Sequence, residues 1–348
     1  MPEHSPLVRV AVVTFNSAGV LTGFLDSLPG AMHGLDWELV VADNGSTDDG
    51  LAIVARYGFS GTVVRMGRNA GYAAGINTAV AVPGRRDALL VVNPDVRLER
   101  GSVASLLAAL TQPRVGIAAP RLTDADGELL PTLRRRPTVM RALGEAVLGG
   151  QAAGKVAALG ETVIDPAAYQ RPGTVDWASG AVQLVSAACL AAVGEWDESF
   201  LLYSEETDFA LRAADHGFAT RFVPDANGVH IGGEAHTSAR LWSLLTTNRV
   251  RLYAKRNPRL ASSAFWLAVT VGEGLRAAAG RRASRAALAA LLRPSRRVTE
   301  LAPAAERAGE RSDAVHGRPP EAPAQPPPPE PEPEVAEEPA ASSGRGEQ

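Results

Sequence analysis

Asp95 closes a stretch in which Ala88-Leu89-Leu90-Val91-Val92 run apolar without alternation and then stop at Asn93-Pro94-Asp95. Such a run reads as a strand buried on both faces of a sheet. Pro94 removes a backbone donor and ends the ladder. Asp95 is thereby left at the carboxyl end of a central strand, where open α/β sheets bind ligands. A carboxylate there can hold a hard cation, and a hard cation can hold a diphosphate. A simpler reading also stands, because Asn, Pro and Asp are all turn residues. A second acidic group, Glu205-Glu206-Thr207-Asp208, opens a helical pattern that runs to Arg212. Acids at a helix N-terminus are favoured by the macrodipole alone, so their type and place leave the role open. Asp43 ends a third pattern, Trp37 to Asn44, just before Gly45-Ser46-Thr47-Asp48.

Elements that would position these groups can be read around them. Val8 to Phe15 is an apolar run leading into Asn16-Ser17. Thr14 and Asn16 close it and should line the same pocket as Asp43. Apolar residues at Val20, Leu21, Phe24, Leu25 and Leu28 have helical spacing. Ser46 is a good N-cap with Asp49 three residues on, so a helix is expected from Thr47 to about Tyr57. The chain therefore opens β-α-β-α, the pattern of a parallel, doubly wound sheet with right-handed crossovers.

With these segments in order, the chain resembles a family 2 glycosyltransferase of the GT-A fold, in the branch that includes bacterial rhamnosyltransferases. The resemblance covers roughly residues 7 to 260. It rests on Val12-Val13-Thr14-Phe15-Asn16-Ser17, Val41 to Asp48, Asn69-Ala70-Gly71-Tyr72-Ala73-Ala74-Gly75-Ile76-Asn77, Val92-Asn93-Pro94-Asp95-Val96, and Tyr203-Ser204-Glu205-Glu206-Thr207-Asp208. It implies a mixed, mainly parallel α/β sheet flanked by helices. It also implies transfer of rhamnose or another hexose from a nucleotide-diphosphate sugar to a hydroxyl of a cell-surface glycan or lipid-linked acceptor.

The resemblance also assigns roles. Asp95 becomes a ligand for Mg2+ or Mn2+, since the leaving diphosphate gathers charge that a cation can offset. Many GT-A enzymes carry Asp-X-Asp here, whereas this chain has Asn93-Pro94-Asp95, a form common in the rhamnosyltransferase-like branch. Asp43 would bond the base or ribose, or else cap the following helix. Asn44, Asn69, Gly71 and Asn93 fall in the family's nucleotide-side segments. Trp177, Ser179 and Gly180, in Trp177-Ala178-Ser179-Gly180-Ala181, border the sugar and acceptor. The Trp177 ring could stack on a sugar face or simply pack. The family's second acid in its Glu-Asp-X-Asp segment is the general base, and here that place holds Glu206, with Glu205 and Asp208 as alternatives. One base without a covalent intermediate implies inversion at the anomeric carbon. His230 would lie near the metal and diphosphate or be structural, and His236 is a weaker second choice.

Bulk properties exclude other classes. The chain has 348 residues, 45% of them apolar, a net charge of −3 and a single cysteine, Cys189. It can bury a large core. It has neither a global nucleic-acid signature nor the thiols for a disulfide framework. Met1 to Pro6 lacks the basic and apolar regions of a signal peptide. No run reaches the length of a membrane span. Three zones are expected: a catalytic domain over 1–256, a basic amphipathic segment over 257–300, and a disordered Pro/Ala/Glu-rich tail over 301–348. The catalytic domain divides into a nucleotide half over about 7–120 and an acceptor half over about 121–256. The middle zone either lies on an anionic membrane surface or packs as a helical cap. A cytoplasmic protein, peripheral on the inner face of the membrane, follows from the first option. Two other functions remain to be weighed. A sugar-nucleotide nucleotidyltransferase should carry a Gly-rich, Lys-containing loop after the first strand, which Val13 to Ser17 is not. A non-catalytic scaffold would be expected to have lost Asp95 or the Glu205–Asp208 cluster.

Overall fold

The computed structural model describes residues 5–232 and 238–301. The expected disordered tail beyond Leu301, and His236, lie outside the described residues.

The first third of the chain alternates β1 (Leu7–Thr14), α1 (Ala18–Ala31), β2 (Asp36–Asp43), α2 (Gly50–Tyr57), β3 (Gly61–Arg65), α3 (Tyr72–Ala81), β4 (Ala88–Val92), β5 (Val96–Leu98) and α4 (Ser102–Leu110). There follow β6 (Val115–Thr123), β7 (Leu133–Arg134), α5 (Val139–Gly154), β8 (Gly173–Val175), β9 (Trp177–Ala178), β10 (Val182–Ser186), α6 (Ala187–Val193), α7 (Glu205–Asp215) and β11 (Ala219–His230). Three helices end the described chain: α8 (Ala239–Arg256), α9 (Arg259–Ala278) and α10 (Arg282–Leu292).

One large sheet runs β3-β2-β1-β4-β10-β6-β11-β5, with β8 also paired to β11, and β7 and β9 form a small second sheet. β3, β2, β1 and β4 are parallel. β10 inserts antiparallel between β4 and β6. The sheet is thus shared between the two halves of the domain. The strands are Val- and Leu-rich because helices cover both faces: β4 is buried along its whole length. Leu21, Phe24, Leu25 and Leu28 of α1 pack on one face, and Ile76 of α3 on the other. Arg9 is an unusual guest on β1. Its fully buried guanidinium donates to Glu38 at 2.6 Å and to the carbonyls of Ala79, Val82 and Pro83.

One expectation changes, and one of two alternatives for the basic segment is seen. The helix expected from Thr47 begins at Gly50, and its cap residue Asp49 makes no side-chain cap bond. Ser46 is drawn away instead, its hydroxyl donating to Asp43 at 2.5 Å. The basic segment over 257–300 folds as a cap. Phe265, Ala268, Val269 and Leu291 close a core with Tyr253 of α8 and Ala142 of α5. Arg249 on α8 pairs with Glu145 and Glu161, each at 2.7 Å, behind it. Large apolar residues are exposed on α5 and α9. Val147 is 73% and Leu260 86% exposed, with Met140, Leu143, Leu267, Val271 and Leu275 beside them in sequence also exposed.

Candidate active site

Three strand ends and one helix start meet through the pairing of the sheet. The register Val12↔Val92 sets the ends of β1 and β4 side by side. Thr14↔Asp43 does the same for β1 and β2. β10 runs back along β4 with Val182 opposite Val92, and the Asn93 N–H donates to Ala181 O at 2.9 Å. The Ser179-Gly180-Ala181 turn is thereby placed beside Asn93-Pro94-Asp95. Gly180 in turn faces α7: a Cβ there would stand 3.2 Å from Cβ of Glu206. The small turn therefore touches the Asn93 backbone on one side and the Glu206 side chain on the other.

On the nucleotide side, Asp43 is 3% exposed and densely bonded. Its oxygens accept from Thr14 Oγ1 at 3.0 Å, Ser46 Oγ, and Ser46 N–H at 3.1 Å. Asp43 therefore orders the loops after β1 and β2. Asn16, at φ 51, takes the Thr47 N–H on its side-chain oxygen at 2.9 Å, tying the same loops from the other end. Asn44 bonds Gly71 O and the Ala70 N–H. Asn69 accepts the Gly71 N–H. Gly71 itself, at φ 101, packs against Leu201, whose carbonyl a Cβ would strike. Its close approach is to protein backbone. The Tyr72 N–H donates to that same Leu201 carbonyl at 2.6 Å.

Asp95 is held by the β5–β11 pairing. His230 sits opposite Val96, and the Ile231 N–H donates to Asp95 O at 3.0 Å. His230 Nε2 stands 3.2 Å from Asp95 Oδ1, but out of line for a hydrogen bond, so this buried oxygen has no hydrogen-bond partner. Among the described residues no group of three or more His, Cys, Asp or Glu side chains could hold a metal ion by itself. Asp95 with His230 does offer a carboxylate oxygen and an imidazole nitrogen to a cation whose other ligands would be diphosphate oxygens and water. That donor set suits Mg2+ or Mn2+.

The acidic start of α7 is built on strain. Leu201, Tyr203 and Ser204 all have positive φ, at 62°, 67° and 76°. Such backbone persists only where its surroundings fix it. Here Asn248 of α8 does so, donating its amide to the carbonyls of Phe200, Leu202 and Tyr203. The three acids then part ways. Asp208 is fully buried and bonded to Arg212 at 2.7 Å and Lys255 at 2.8 Å, a structural ion pair that leaves it no free role as base. Glu205 and Glu206 each keep a buried Oε2 without a partner. Burial, and then the charge of Glu206, push the Glu205 carboxyl well above the usual carboxylate range. Burial raises Glu206 less, opposed by backbone N–H groups at the helix start and by Arg134.

Tyr72 and Arg134 were not among the expected site residues. The Tyr72 hydroxyl is buried without a partner, and burial together with Glu205, Asp95 and Glu206 raises its pKa. It therefore stands within electrostatic reach of both halves of the site. Arg134 lies over the Trp177 ring at 5.7 Å. Trp177 is 9% exposed and donates Nε1–H to Arg135 O, so its ring is a packed wall and offers no open stacking surface. Tyr72 was visible only as part of its motif. Arg134 sits in Arg134-Arg135-Arg136, which reads as solvated charge until β7 pairs with β9.

The site thus combines acids at the strand ends of a mixed sheet with carboxylates at the start of α7. The family model "Glycosyl transferase family 2" matches residues 9–158. Over 248 residues the chain is 32% identical to an N-acetylglucosaminyl-diphospho-decaprenol L-rhamnosyltransferase of Mycobacterium tuberculosis, covering 67% of this chain and 78% of that protein. It is 23% identical over 216 residues to the rhamnosyltransferase WbbL of Escherichia coli, covering 59% of this chain and 78% of that one. Among solved structures, the mannosyltransferase PcManGT from Pyrobaculum calidifontis, in complex with GDP-Man and Mn2+, superposes with a TM-score of 0.52 at 18% identity. That match covers 91% of this chain and 82% of that one. The chain belongs to glycosyl transferase family 2.

Proposed function

We propose that this glycosyltransferase moves rhamnose or a related hexose, with inversion, from a nucleotide-diphosphate sugar to a hydroxyl of a lipid-linked diphosphosugar. The observation that supports this reading is that the Gly180–Ala181 turn contacts both the Asn93 backbone, two residues before Asp95, and the Glu206 side chain, while the buried Tyr72 hydroxyl feels the charges of Asp95 and Glu206 together. One pocket then has a diphosphate end and a base end. Asp43, Thr14, Asn16, Asn44 and Asn69 shape the nucleotide end. Asp95 and His230 would hold Mg2+ or Mn2+, which supplies charge stabilisation to the departing diphosphate. Glu206, half-buried and with one oxygen that has no protein partner, accepts the proton of the attacking hydroxyl. Burial raises the pKa of Glu205 further, which favours its protonated form beside Glu206. No described helix is long and apolar enough to cross a membrane. The exposed apolar residues of α5 and α9, with arginines on α9 and α10, support seating on an anionic membrane surface where such an acceptor resides.

The experiment is a screen of purified protein against deoxythymidine-, uridine- and guanosine-diphosphate sugars with a short-chain prenyl-diphospho-N-acetylglucosamine acceptor. NMR of the product reads the anomeric configuration. Transfer with inversion supports the reading. Retention of configuration, or transfer to none of these, defeats it.

A further inference from the structure

A second charged site lies outside the pocket just described. A cleft of about 620 Å³ opens between the start of α8, the end of α10 and the residues after it. Four arginines line it, Arg240, Arg293, Arg296 and Arg297, against one acid, Glu300. All four are exposed. Among the described residues none of them forms an ion pair. Arg240 donates to a carbonyl, that of Glu300, at 2.8 Å, and Arg297 to that of Ala290. Guanidinium groups gathered without carboxylates repel one another, and a bound polyanion relieves that repulsion through paired, charge-assisted bonds.

The position of the cleft says which polyanion. α8 is the helix whose Asn248 pins the strained segment ahead of Glu205 and Glu206. Its later residues Lys255 and Arg256 reach Asp208 and Asp215, so α8 follows α7 along its length. Arg240 is eight residues before Asn248, about 12 Å along the helix axis. Arg240 therefore stands on the part of α8 that runs on past the start of α7, on the side away from Lys255 and Arg256. We infer that this cleft binds the diphosphate of the acceptor while its sugar hydroxyl reaches Glu206. This deepens the proposed function and rests on it for the acceptor. The donor diphosphate, at Asp95, is a separate group.

Binding to the full-length protein tests it without any transfer step. Geranyl diphosphate and geraniol are titrated calorimetrically into wild type, the Arg296→Ala/Arg297→Ala variant and the matching double Lys variant. Geranyl diphosphate is expected to bind wild type and to weaken 10-fold or more in the Ala variant, with partial recovery in the Lys variant. Geraniol should bind neither. Unchanged geranyl diphosphate affinity in the Ala variant overturns the inference. So does a loss confined to phosphatidylglycerol vesicles, which would make the cleft a lipid-headgroup contact. So does equal weakening toward inorganic phosphate and geranyl diphosphate, which would mark a simple anion sink. Because no sugar moves in these measurements, a failed transferase screen and a failed cleft are told apart.

Discussion

Glu206→Gln separates the chemistry from the scaffold. The substitution keeps the side-chain volume and the neighbouring Gly180 contact, and removes only the ability to take up a proton as a carboxylate. Because one Glu206 oxygen is buried and unpartnered, no protein hydrogen bond to it is lost. Stability should therefore hold, and kcat should fall roughly 10²-fold or more, equivalent to about 2.7 kcal/mol of barrier. The donor KM should stay near wild type, because the groups proposed to shape the nucleotide end lie at the ends of β1 and β2 and in the loop after β3. The two neighbours behave differently for structural reasons. Asp208→Asn removes the charge that faces Arg212 and Lys255, and breaking a buried pair costs about 3 kcal/mol. Its defect should appear as a lower Tm, with kcat in the surviving fold largely kept. Glu205→Gln replaces a carboxyl whose protonated form burial favours with a neutral side chain of the same size, so activity should change little. The folded pKa of Glu205 is raised, so the fold holds a proton that the unfolded chain releases. Its contribution to stability is whole below the unfolded pKa, near 4.3, and declines as pH rises to the folded value. Glu205→Gln should therefore stabilise the protein increasingly toward alkaline pH and not at all in acid. Initial rates with radiolabelled donor, paired with thermal melts from pH 4 to 9, read both quantities. Near wild-type turnover in Glu206→Gln, together with abolition in Glu205→Gln, would refute the assignment of the base.

Further outcomes follow from the same geometry. Asp95→Ala should abolish transfer with an unchanged melt, since the lost oxygen has no protein partner, whereas Asp43→Ala should raise the donor KM and also lower Tm by loosening the loops it bonds. The acid limb of the kcat/KM profile should lie above the pH of an ordinary glutamate, because burial raises Glu206, and activity should fall as pH drops through that value. Val147→Asp with Leu260→Asp should release the protein from phosphatidylglycerol vesicles in co-sedimentation while leaving its activity on a short, soluble acceptor intact; undiminished vesicle binding would assign that face to some other contact.

Much of the frame was legible in the sequence, and the reasons are local. β1, β2 and β4 show as unbroken apolar runs because both their faces are covered. α1 shows as a clean helical stripe because one face is. The acids at strand ends followed from where those runs stop. What stayed hidden depends on partners distant in sequence. Ser46 is as good a cap as sequence can show, yet Asp43 claims its hydroxyl. Asp208 and Glu206 look alike until Lys255, 47 residues beyond Asp208, takes one of them. The basic segment after 257 reads as a surface helix because its arginines are conspicuous. Only the packing of Phe265 on Tyr253, rings stacked 4.0 Å apart, shows that its inward face closes a core.

The strained segment explains why the two halves of the site hold one spacing. Asn44 bonds the backbone at Gly71, Gly71 and Tyr72 lean on Leu201, and Leu201 begins the positive-φ run that ends at Glu205. Asn248 closes the path from the far side. The nucleotide loop and the base are thus joined by backbone contacts that leave no gap for a longer side chain at position 71. Gly71→Ala is the sharpest probe of that joint. The added methyl meets the Leu201 carbonyl, and φ at 101° is a conformation that alanine adopts only with strain. Either the Leu201–Ser204 segment shifts or the loop after β3 does. In both cases Glu206 moves relative to Asp95, so kcat should drop at least 10-fold, as misplacement of a reacting group predicts. If the variant keeps full turnover and only its Tm falls, the joint is a packing contact alone, and the spacing of the site is set elsewhere in the sheet.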